Sequence, residues 1–379
     1  MNDSLRRILF ICPDLNAAGA QQQCVSLAST LISRGHTCGI YTYAPANALA
    51  EKAQLAGVAL HHFSRRGWWD TRIIAHLAQT IDEFQYSVVV GVLDWSYVYA
   101  ARAIRRSHMS PALVSAVHML TYTAVRDRAR GIVCHRHVGA SDRVVFVSRI
   151  QMDHWLDRGT LDPGCCTVVP NGVSPRAAAA PQERQATRSA LGIGSGEFAI
   201  GMVGRFREEK RHDLAVESFA QALLHVPHMR LVFVGDGPTR ERTEALSKSR
   251  GVESRVTFLG HRADVDAIYQ GFDITLLCSD SEAMPMVILE SLCHGVPIVS
   301  TNVGGISEVV SNSCGYLVPP GNASALSGAL VMAAKAGQQN LKEMGLAGAR
   351  LVNDDFSIEA MVDGYERAIE EAIRHHGSS

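Results

Sequence analysis

Residues 281–290 read Ser-Glu-Ala-Met-Pro-Met-Val-Ile-Leu-Glu, and a short apolar run, Ile-Thr-Leu-Leu, stands just before them at 274–277. The apolar run predicts a buried strand. Pro285 is suited to the first position of a helix, where its missing N–H costs no hydrogen bond. The pattern therefore predicts a strand, a loop that contains Glu282, and a helix that contains Glu290.

The start of this predicted helix is a candidate anion site. The backbone N–H groups of Met284, Met286 and Val287 would point out of the helix N-terminus, where the helix dipole favours negative charge. A carboxylate on a mostly apolar helix, such as Glu290, needs a partner when it is buried. The alternative is a surface helix with two solvated glutamates, but the segment has few other polar residues to form a solvent-exposed face.

The first half of the chain alternates short apolar runs with stretches of helical spacing. The helical stretches include 20–33 and 71–84. Regular alternation of strand and helix favours an open parallel sheet with helices on both faces. The apolar runs lie at 7–12, 36–43, 58–63, 87–92, 113–117, 143–147 and 167–170.

The second half repeats this alternation. Residues 171–185 are rich in Pro and Ala and have no periodicity, which predicts a linker between two domains. The fold class expected is α/β, with two Rossmann-like doubly wound parallel-sheet domains that face each other across a cleft. The predicted parts are an N-terminal domain at 1–171, a linker at 172–195, a C-terminal domain at 196–356, and a C-terminal helix at 357–379 that can pack back on the first domain.

Composition narrows the class of protein. The chain has 379 residues, which suits two domains, and 47% hydrophobic with 19% charged residues is ordinary for a soluble globular protein. A formal net charge of -1 gives no indication of a nucleic-acid partner. The nine cysteines have no zinc-binding spacing, which favours reduced thiols in the cytoplasm. With no predicted signal peptide or membrane span, we expect a cytoplasmic protein, either free or peripheral on the membrane.

Several features of the first half stand where parallel strands end, which is where such sheets bind ligands. Gly19 lies in a small turn after the first strand, and His118 directly follows the strand at 113–117. Two further segments, 65–69 (Arg-Arg-Gly-Trp-Trp) and the Arg- and His-rich 126–137, have two interpretations each. In the first interpretation, both segments contact an acceptor or an anionic membrane surface. In the second, 65–69 begins a helix whose tryptophans pack inward, and 126–137 is a solvated helix and loop.

The second half contains the residues that a diphosphate needs. Arg205 and Lys210 flank a loop directly after the strand at 198–203, where both cations can reach one phosphate group. Gly204 lets the main chain approach a ligand closely. The Asp264-Val265-Asp266 sequence could be a metal-binding motif, but acidic residues at a helix start are the more ordinary interpretation. We expect no metal and no cofactor.

Together these motifs resemble the retaining, nucleotide-sugar-dependent glycosyltransferases of the GT-B fold, specifically the group 1 type that assembles bacterial polysaccharides. The similarity extends over nearly the whole chain and is most specific in the second half. Its most discriminating part is the pair Glu282 and Glu290, separated by seven residues. The other matching motifs are Gly204-Arg205 with Lys210, Val234-Gly235-Asp236-Gly237-Pro238, Phe258-Leu259-Gly260, Gly304-Gly305-Ile306-Ser307-Glu308 and Gly315-Tyr316-Leu317-Val318.

The resemblance implies a role for each matching residue on the donor side. Arg205 and Lys210 would hold the donor diphosphate, and Glu290 would accept hydrogen bonds from the ribose hydroxyls. Glu282 would lie near the donor sugar and the reacting phosphate. Main chain near Arg262 would face the base. The phosphate and sugar site would be lined by backbone groups of Met284, Pro285, Met286 and Val287.

On the other side of the cleft, the resemblance implies that His118 reaches the sugar and that the loop around Gly19 contacts substrate. That loop is often Gly-Gly-Ala-Glu in the family, whereas this chain has Ala18-Gly19-Ala20-Gln21. Ala283 also stands where glycine is common. These departures concern the N-terminal contacts and leave the class unchanged.

The implied reaction moves a sugar from a nucleotide-sugar donor to a saccharide or lipid-linked acceptor. A UDP-linked sugar is expected as the donor because it is the commonest donor type in the family. The cations and the helix N-terminus would stabilise the leaving diphosphate electrostatically. A mechanism with two flanking carboxylates needs about 5–10 Å between them, which this spacing does not exclude. Two other functions stay open: a sugar-nucleotide 2-epimerase of similar fold, and a non-catalytic nucleotide-sugar-binding subunit.

Overall fold

The computed structural model describes residues 5–45, 47–67, 70–120, 125–176 and 180–378, without the side chains of Asp94 and of residues 125–130. The chain divides into two compact units. Unit 1 consists of Met1–Gly172 together with Ile358–Ser379, and unit 2 consists of Val173–Ser357.

Unit 1 is built on a seven-stranded sheet in which every described strand pairing is parallel. Its strands are β1 Arg7–Cys12, β2 Thr37–Thr42, β3 Ala59–His62, β4 Val88–Val92, β5 Ala112–Val117, β6 Arg143–Phe146 and β7 Cys166–Val168. The strand order is β3-β2-β1-β4-β5-β6-β7. Its helices are α1 Gly19–Ser33, α2 Ala50–Leu55, α3 Arg72–Glu83, α4 Asp94–Ile104, α5 Val125–Val138 and α6 Arg149–Leu156, with α14 Ile358–His376 from the C-terminal end.

The central strands of unit 1 are apolar throughout because helices cover both of their faces. All five residues of β4 are buried, and so are all six of β5. The C-terminal α14 belongs to one of the cores, where its residues Met361, Val362 and Ile369 pack beside α1 and the sheet. The side chains of α3 and α4 form the core on the other face.

Unit 2 repeats the plan with a six-stranded parallel sheet in the order β10-β9-β8-β11-β12-β13. Its strands are β8 Phe198–Val203, β9 Met229–Val234, β10 Val256–Phe258, β11 Ile274–Leu277, β12 Ile298–Thr301 and β13 Gly315–Val318. The helices are α7 Pro181–Ala190, α8 His212–Leu223, α9 Arg240–Ser249, α10 Val265–Tyr269, α11 Met286–Cys293, α12 Ala323–Lys335 and α13 Gly337–Asp355. The predicted fold class, two doubly wound parallel-sheet domains, is confirmed.

The predicted linker at 172–195 is wrong, because much of it is folded into unit 2. Helix α7 occupies Pro181–Ala190, and its Arg184 and Arg188 both bond to Asp273, at 2.6 and 3.0 Å. Asp273 also accepts from the backbone N–H of Ala199, at 2.7 Å. The helix is held by partly buried ion pairs rather than by an apolar stripe, which is why the sequence has no apolar periodicity there.

The predicted start of the helix after Glu282 is displaced by one residue. Pro285 is the residue before the helix, with extended backbone, and α11 begins at Met286. Helices α2, α6, α9, α12 and α13 were not predicted; α2 and α6 are each eight residues or shorter. In the described part of the chain, none of the helices is both long and apolar enough to cross a bilayer.

Candidate functional site

In unit 2, the point where the strand order reverses lies between β8 and β11. From β8 the chain continues to β9 on one side, and β11 is followed by β12 on the other side. Crevices at such points, at the carboxyl ends of the strands, bind ligands in open parallel sheets. The loops that follow β8, β11 and β12 emerge together at this edge, because all three strands run in the same direction.

The loop after β8 is fixed in place by the turn after β9. The backbone N–H of Gly204 donates to the carbonyl of Val234 at 2.9 Å, and that of Phe206 donates to the carbonyl of Asp236 at 3.0 Å. Gly235 has φ +137°, and a Cβ there would lie 2.0 Å from the carbonyl oxygen of Gly204. The glycine-rich turn after β9 therefore acts as a support for the cationic loop.

Lys210 and Glu282 connect the two loops that flank the reversal point. The Nζ of Lys210 lies 2.5 Å from Oε1 of Glu282, and the same oxygen accepts from Oγ of Ser279 at 2.6 Å. Thr301, at the end of β12, donates its hydroxyl to the carbonyl of Ser279 at 2.7 Å. The side chains of Lys210 and Glu282 are 23% and 11% exposed, so the pair is shielded but reachable by a ligand.

Arg205 is an exposed cation on the same loop as Lys210. Among the described residues, its guanidinium makes no hydrogen bond or ion pair. Arg207, two residues further along, is paired with Glu209 at 3.6 Å. Arg205 thus leaves all five of its N–H donors available to an anion at this edge.

The N-terminus of α11 contributes a third positive element. Pro285 caps it without a side-chain hydrogen bond, and its first turn has no acidic residue. The first N–H groups of a helix, here those of Met286 and Val287, have no acceptor within the helix. The loop before α11 is tied to the loop after β12 by a hydrogen bond from the N–H of Gly305 to the carbonyl of Ala283, at 3.0 Å. The three loops therefore present cations and N–H dipoles at one edge.

Glu290 lies on α11 and has a partner that the sequence did not indicate. The hydroxyl of Tyr269, on α10, donates to Oε2 of Glu290 at 3.0 Å. Burial raises the pKa of Glu290, and the hydrogen bond from Tyr269 acts in the opposite direction. Tyr269 could have been suspected only from its position on the helix after β10, since nothing in the sequence links it to a residue 21 positions away.

The acidic residues that suggested a metal motif are engaged with basic side chains. Asp264 precedes α10, as expected for acidic residues at a helix start, and it pairs with Arg262 at 2.5 Å. Asp266 pairs with Arg176 at 2.7 Å and with His294 at 3.2 Å. Among the described residues, no group of three or more His, Cys, Asp or Glu side chains is arranged to hold a metal ion.

In unit 1, the predicted residues lie at the same kind of edge of the seven-stranded sheet. Gly19 is the first residue of α1, which follows β1 at the reversal point between β1 and β4. His118 directly follows β5 and is half-buried. Burial lowers the pKa of His118 to about 4, so its imidazole is neutral at pH 7.

The two basic segments of unit 1 are described only in part. Trp68 and Trp69 lie outside the described residues, so the prediction for that loop is untested there. Arg65 lies over the ring of Tyr43, 5.0 Å from its centroid, and donates to the hydroxyl of Tyr99 at 3.1 Å. In 126–137, most of the segment is helix α5, and its side chains are described from 131 onward.

A parallel sheet with cations and a helix N-terminus at its reversal point is the arrangement of a protein that binds an anionic ligand such as a nucleotide. Two family models match the chain. Glycosyltransferase Family 4 matches residues 17–177, and Glycosyl transferases group 1 matches residues 183–345.

Individual relatives agree with these models. N-acetyl-alpha-D-glucosaminyl L-malate synthase of Bacillus anthracis is 32% identical over 184 residues, which cover 48% of this chain and 48% of that protein. Lipopolysaccharide glucosyltransferase WaaG of Escherichia coli is 23% identical over 312 residues, 79% of this chain and 81% of that protein. The chain spans about half the length of several curated relatives that it matches.

Solved structures share the fold. Alr3699/HepE of Anabaena, in complex with UDP and glucose, superposes with a TM-score of 0.86 at 19% identity, over 96% of this chain and 99% of that chain. The two family models, over residues 17–177 and 183–345, together with the fold support a group 1 glycosyltransferase of the GT-B fold.

His212, beside the cationic loop, should make the stability of the protein depend on pH. Its ring is 2% exposed, stacks on Phe206 with centroids 3.9 Å apart, and makes no hydrogen bond at either nitrogen within the described part of the chain. Burial lowers the pKa of His212 to about 4, against about 6.5 in an unfolded chain. The unfolded state therefore binds the proton more readily between these values, and stability is lost as pH falls from 6.5 toward 4.

We expect His212→Phe to reduce this loss by roughly 2–3 kcal/mol at pH 4.5, relative to pH 7.5, because the variant ring takes up no proton. Urea denaturation at the two pH values measures the difference. The matched control is His225→Phe, at an exposed position, which should keep the wild-type dependence. An unchanged loss in His212→Phe would contradict the assignment.

Proposed function

We propose that this protein transfers a sugar from a nucleoside diphosphate sugar to a saccharide or lipid-linked acceptor, with retention of anomeric configuration. The donor is a UDP-linked hexose or N-acetylhexosamine, and the reaction belongs to the biosynthesis of cell-surface polysaccharide or glycoconjugate. The observation that carries the proposal is a loop at the reversal point of a parallel sheet that holds both Arg205, which has no partner among the described residues, and Lys210, which pairs with Glu282.

The charges at this edge suit a diphosphate. Arg205 and Lys210 contribute two positive charges and Glu282 one negative charge, so the three groups carry a net charge of about +1 before the α11 dipole is added. A diphosphate that binds here gives Arg205 its first partner and Lys210 a second one. Both cations lie on one loop, which the turn after β9 holds in place. Little reorganisation is therefore needed when charge develops on the leaving group.

The relatives support the choice of donor. The Anabaena protein was solved in complexes with UDP and with UDP-glucose. The Escherichia coli relative is a glucosyltransferase of lipopolysaccharide, and the Bacillus relative bears an N-acetylglucosaminyl name. These are properties of those proteins, and they favour a UDP-sugar of the hexose or N-acetylhexosamine class as the first donor to test here.

In the proposed reaction, the bond between the anomeric carbon and the phosphate oxygen breaks, and the acceptor hydroxyl forms its new bond on the same face. The acceptor's proton passes to an oxygen of the departing diphosphate, so no protein base is required. Glu282 is already held by Lys210 and Ser279, and Glu290 by Tyr269. These partners favour binding and positioning roles for the two carboxylates. They argue against the hydrolase-type mechanism, in which two carboxylates flank the bond that breaks.

The protonation state of His118 suits contact with the donor sugar. Since the pKa of His118 is lowered to about 4, the neutral ring can donate one hydrogen bond and accept another at pH 7. A neutral donor fits a sugar hydroxyl and adds no charge to the site. The unit 1 loop at Gly19 is the second contact proposed for that side.

Donor binding should depend on both cations of the loop. We expect Arg205→Ala and Lys210→Ala each to reduce affinity for UDP-sugars at least about 100-fold, because each removes a charge-assisted contact and Lys210→Ala also leaves Glu282 unpaired. Isothermal titration without acceptor measures this loss. Arg207→Ala is the control, since Arg207 lies on the same loop and already pairs with Glu209. Wild-type affinity in both Ala variants would rule out the diphosphate role.

Metal independence is the second expectation. Because the charges for the leaving group come from Arg205, Lys210 and α11, sugar transfer or slow donor hydrolysis should proceed at the full rate in EDTA. A rate that falls in EDTA and recovers with magnesium would contradict the mechanism. The product of donor turnover distinguishes the alternatives, since a free epimerised nucleotide sugar would indicate the 2-epimerase.

Peripheral contact with the inner face of the membrane is also proposed, through helix α5. Ile132 is 73% exposed and Val133 37% exposed, and the basic residues Arg136 and His137 follow them on the helix. Exposed apolar side chains beside cations fit an anionic lipid surface.

We expect Ile132→Asp to weaken co-sedimentation with vesicles containing phosphatidylglycerol, because it places a negative charge on this surface. Leu224→Asp is the matched control, because Leu224 is 81% exposed and lies on unit 2. Equal sedimentation of wild type and both variants would argue against this surface.

A further inference from the structure

Tyr269 is a buried residue that points its hydroxyl at a proposed substrate-binding carboxylate. The side chain is fully buried, and its hydroxyl donates to Oε2 of Glu290 at 3.0 Å. Glu290 itself is half-buried. Among the described residues, its other oxygen, Oε1, has no hydrogen-bond partner. One oxygen is therefore occupied by the protein, and the other is left for a ligand.

The ring of Tyr269 is fixed from behind by a second aromatic side chain. His294 stacks on it with ring centroids 5.5 Å apart and planes 19° apart. The Nε2 of His294 lies 3.2 Å from Oδ1 of Asp266, whose other oxygen pairs with Arg176 at 2.7 Å. Asp266, the second acidic residue of the motif that suggested a metal, thus holds the imidazole on which the tyrosine rests.

We propose that Tyr269 is a positioning residue for ribose recognition: it holds Oε2 of Glu290 so that Oε1 faces the two ribose hydroxyls of the donor nucleotide. This inference rests on the proposed function, together with the ribose role that the family resemblance implies for Glu290. Tyr269 does not touch the substrate and acts through Glu290.

The electrostatics around Glu290 give the hydrogen bond a second effect. Burial and Asp266 raise the pKa of Glu290, whereas Tyr269 and His294 lower it. The hydroxyl of Tyr269 therefore favours the ionised carboxylate, which accepts hydrogen bonds from a ribose diol. Without the hydroxyl, the carboxylate loses both a fixed orientation and part of the stabilisation of its charge.

The test compares two ligands that differ only in the ribose hydroxyls. We expect the Kd of the wild type for UDP to be lower than that for 2′,3′-dideoxy-UDP, because the analogue cannot donate to Glu290. In Tyr269→Phe, the affinity for UDP should fall about 10-fold while the affinity for the dideoxy analogue stays unchanged. A merely structural role would weaken both ligands equally, and that result, or no change for either, would overturn the inference.

Two further variants make the result specific. Because Tyr269 acts through Glu290, the double variant Tyr269→Phe/Glu290→Gln should bind UDP as Glu290→Gln does, and additive losses would overturn the inference. Tyr86→Phe is the matched control: Tyr86 is also buried, and its hydroxyl pairs with His61 at 2.9 Å in unit 1. It should leave both affinities unchanged.

The outcomes separate the inference from the function on which it rests. If the wild type binds UDP and prefers it to the dideoxy analogue, but Tyr269→Phe keeps that preference, only the positioning role fails. If the wild type binds neither UDP nor any other nucleoside diphosphate, the proposed function fails and the inference fails with it. Circular dichroism of Tyr269→Phe, which removes a single oxygen atom, confirms that the variant is folded before it is titrated.

Discussion

The parallel pairing of the strands is the constraint on which the rest of the structure depends. In each described sheet every strand runs in the same direction, so every loop that follows a strand emerges at one edge. Chain segments more than 70 residues apart, such as those of Lys210 and Glu282, meet there because β8 and β11 are neighbours. The chemistry of unit 2 follows from that placement, and the helices on both faces serve to bury the sheet that imposes it.

Close packing of main chain then determines which residues can form the edge. The cationic loop after β8 lies on a turn in which Gly235 and Gly237 both have positive φ, and side chains at these positions would collide with the carbonyl oxygens of Gly204 and Phe206. The motif Val234-Gly235-Asp236-Gly237-Pro238 is thereby explained as a support for the loop that carries Arg205 and Lys210. A glycine-rich motif can thus position a neighbouring loop by close main-chain packing.

The sequence predicted most of the sheet, because apolar runs that are buried on both faces are unambiguous: β1, β8 and β11 lie where they were expected. It failed for α7, since this helix is held by Arg184 and Arg188 on Asp273 and has no apolar period to detect. In the site, residue types and spacing indicated Arg205, Lys210, Glu282 and Glu290 as a group. The pairing of Lys210 with Glu282, and the contact of Tyr269 with Glu290, depend on tertiary structure that no local pattern encodes.

The most direct test of the diphosphate site is the structure of the chain crystallised with UDP, without added metal. We expect diphosphate oxygens within hydrogen-bond distance of Arg205, Lys210 and the N–H groups at the start of α11, with the ribose against Glu290. A diphosphate bound elsewhere, or one that reaches this edge while Arg205 and Lys210 make no contact with it, would show that these cations do not form the donor site.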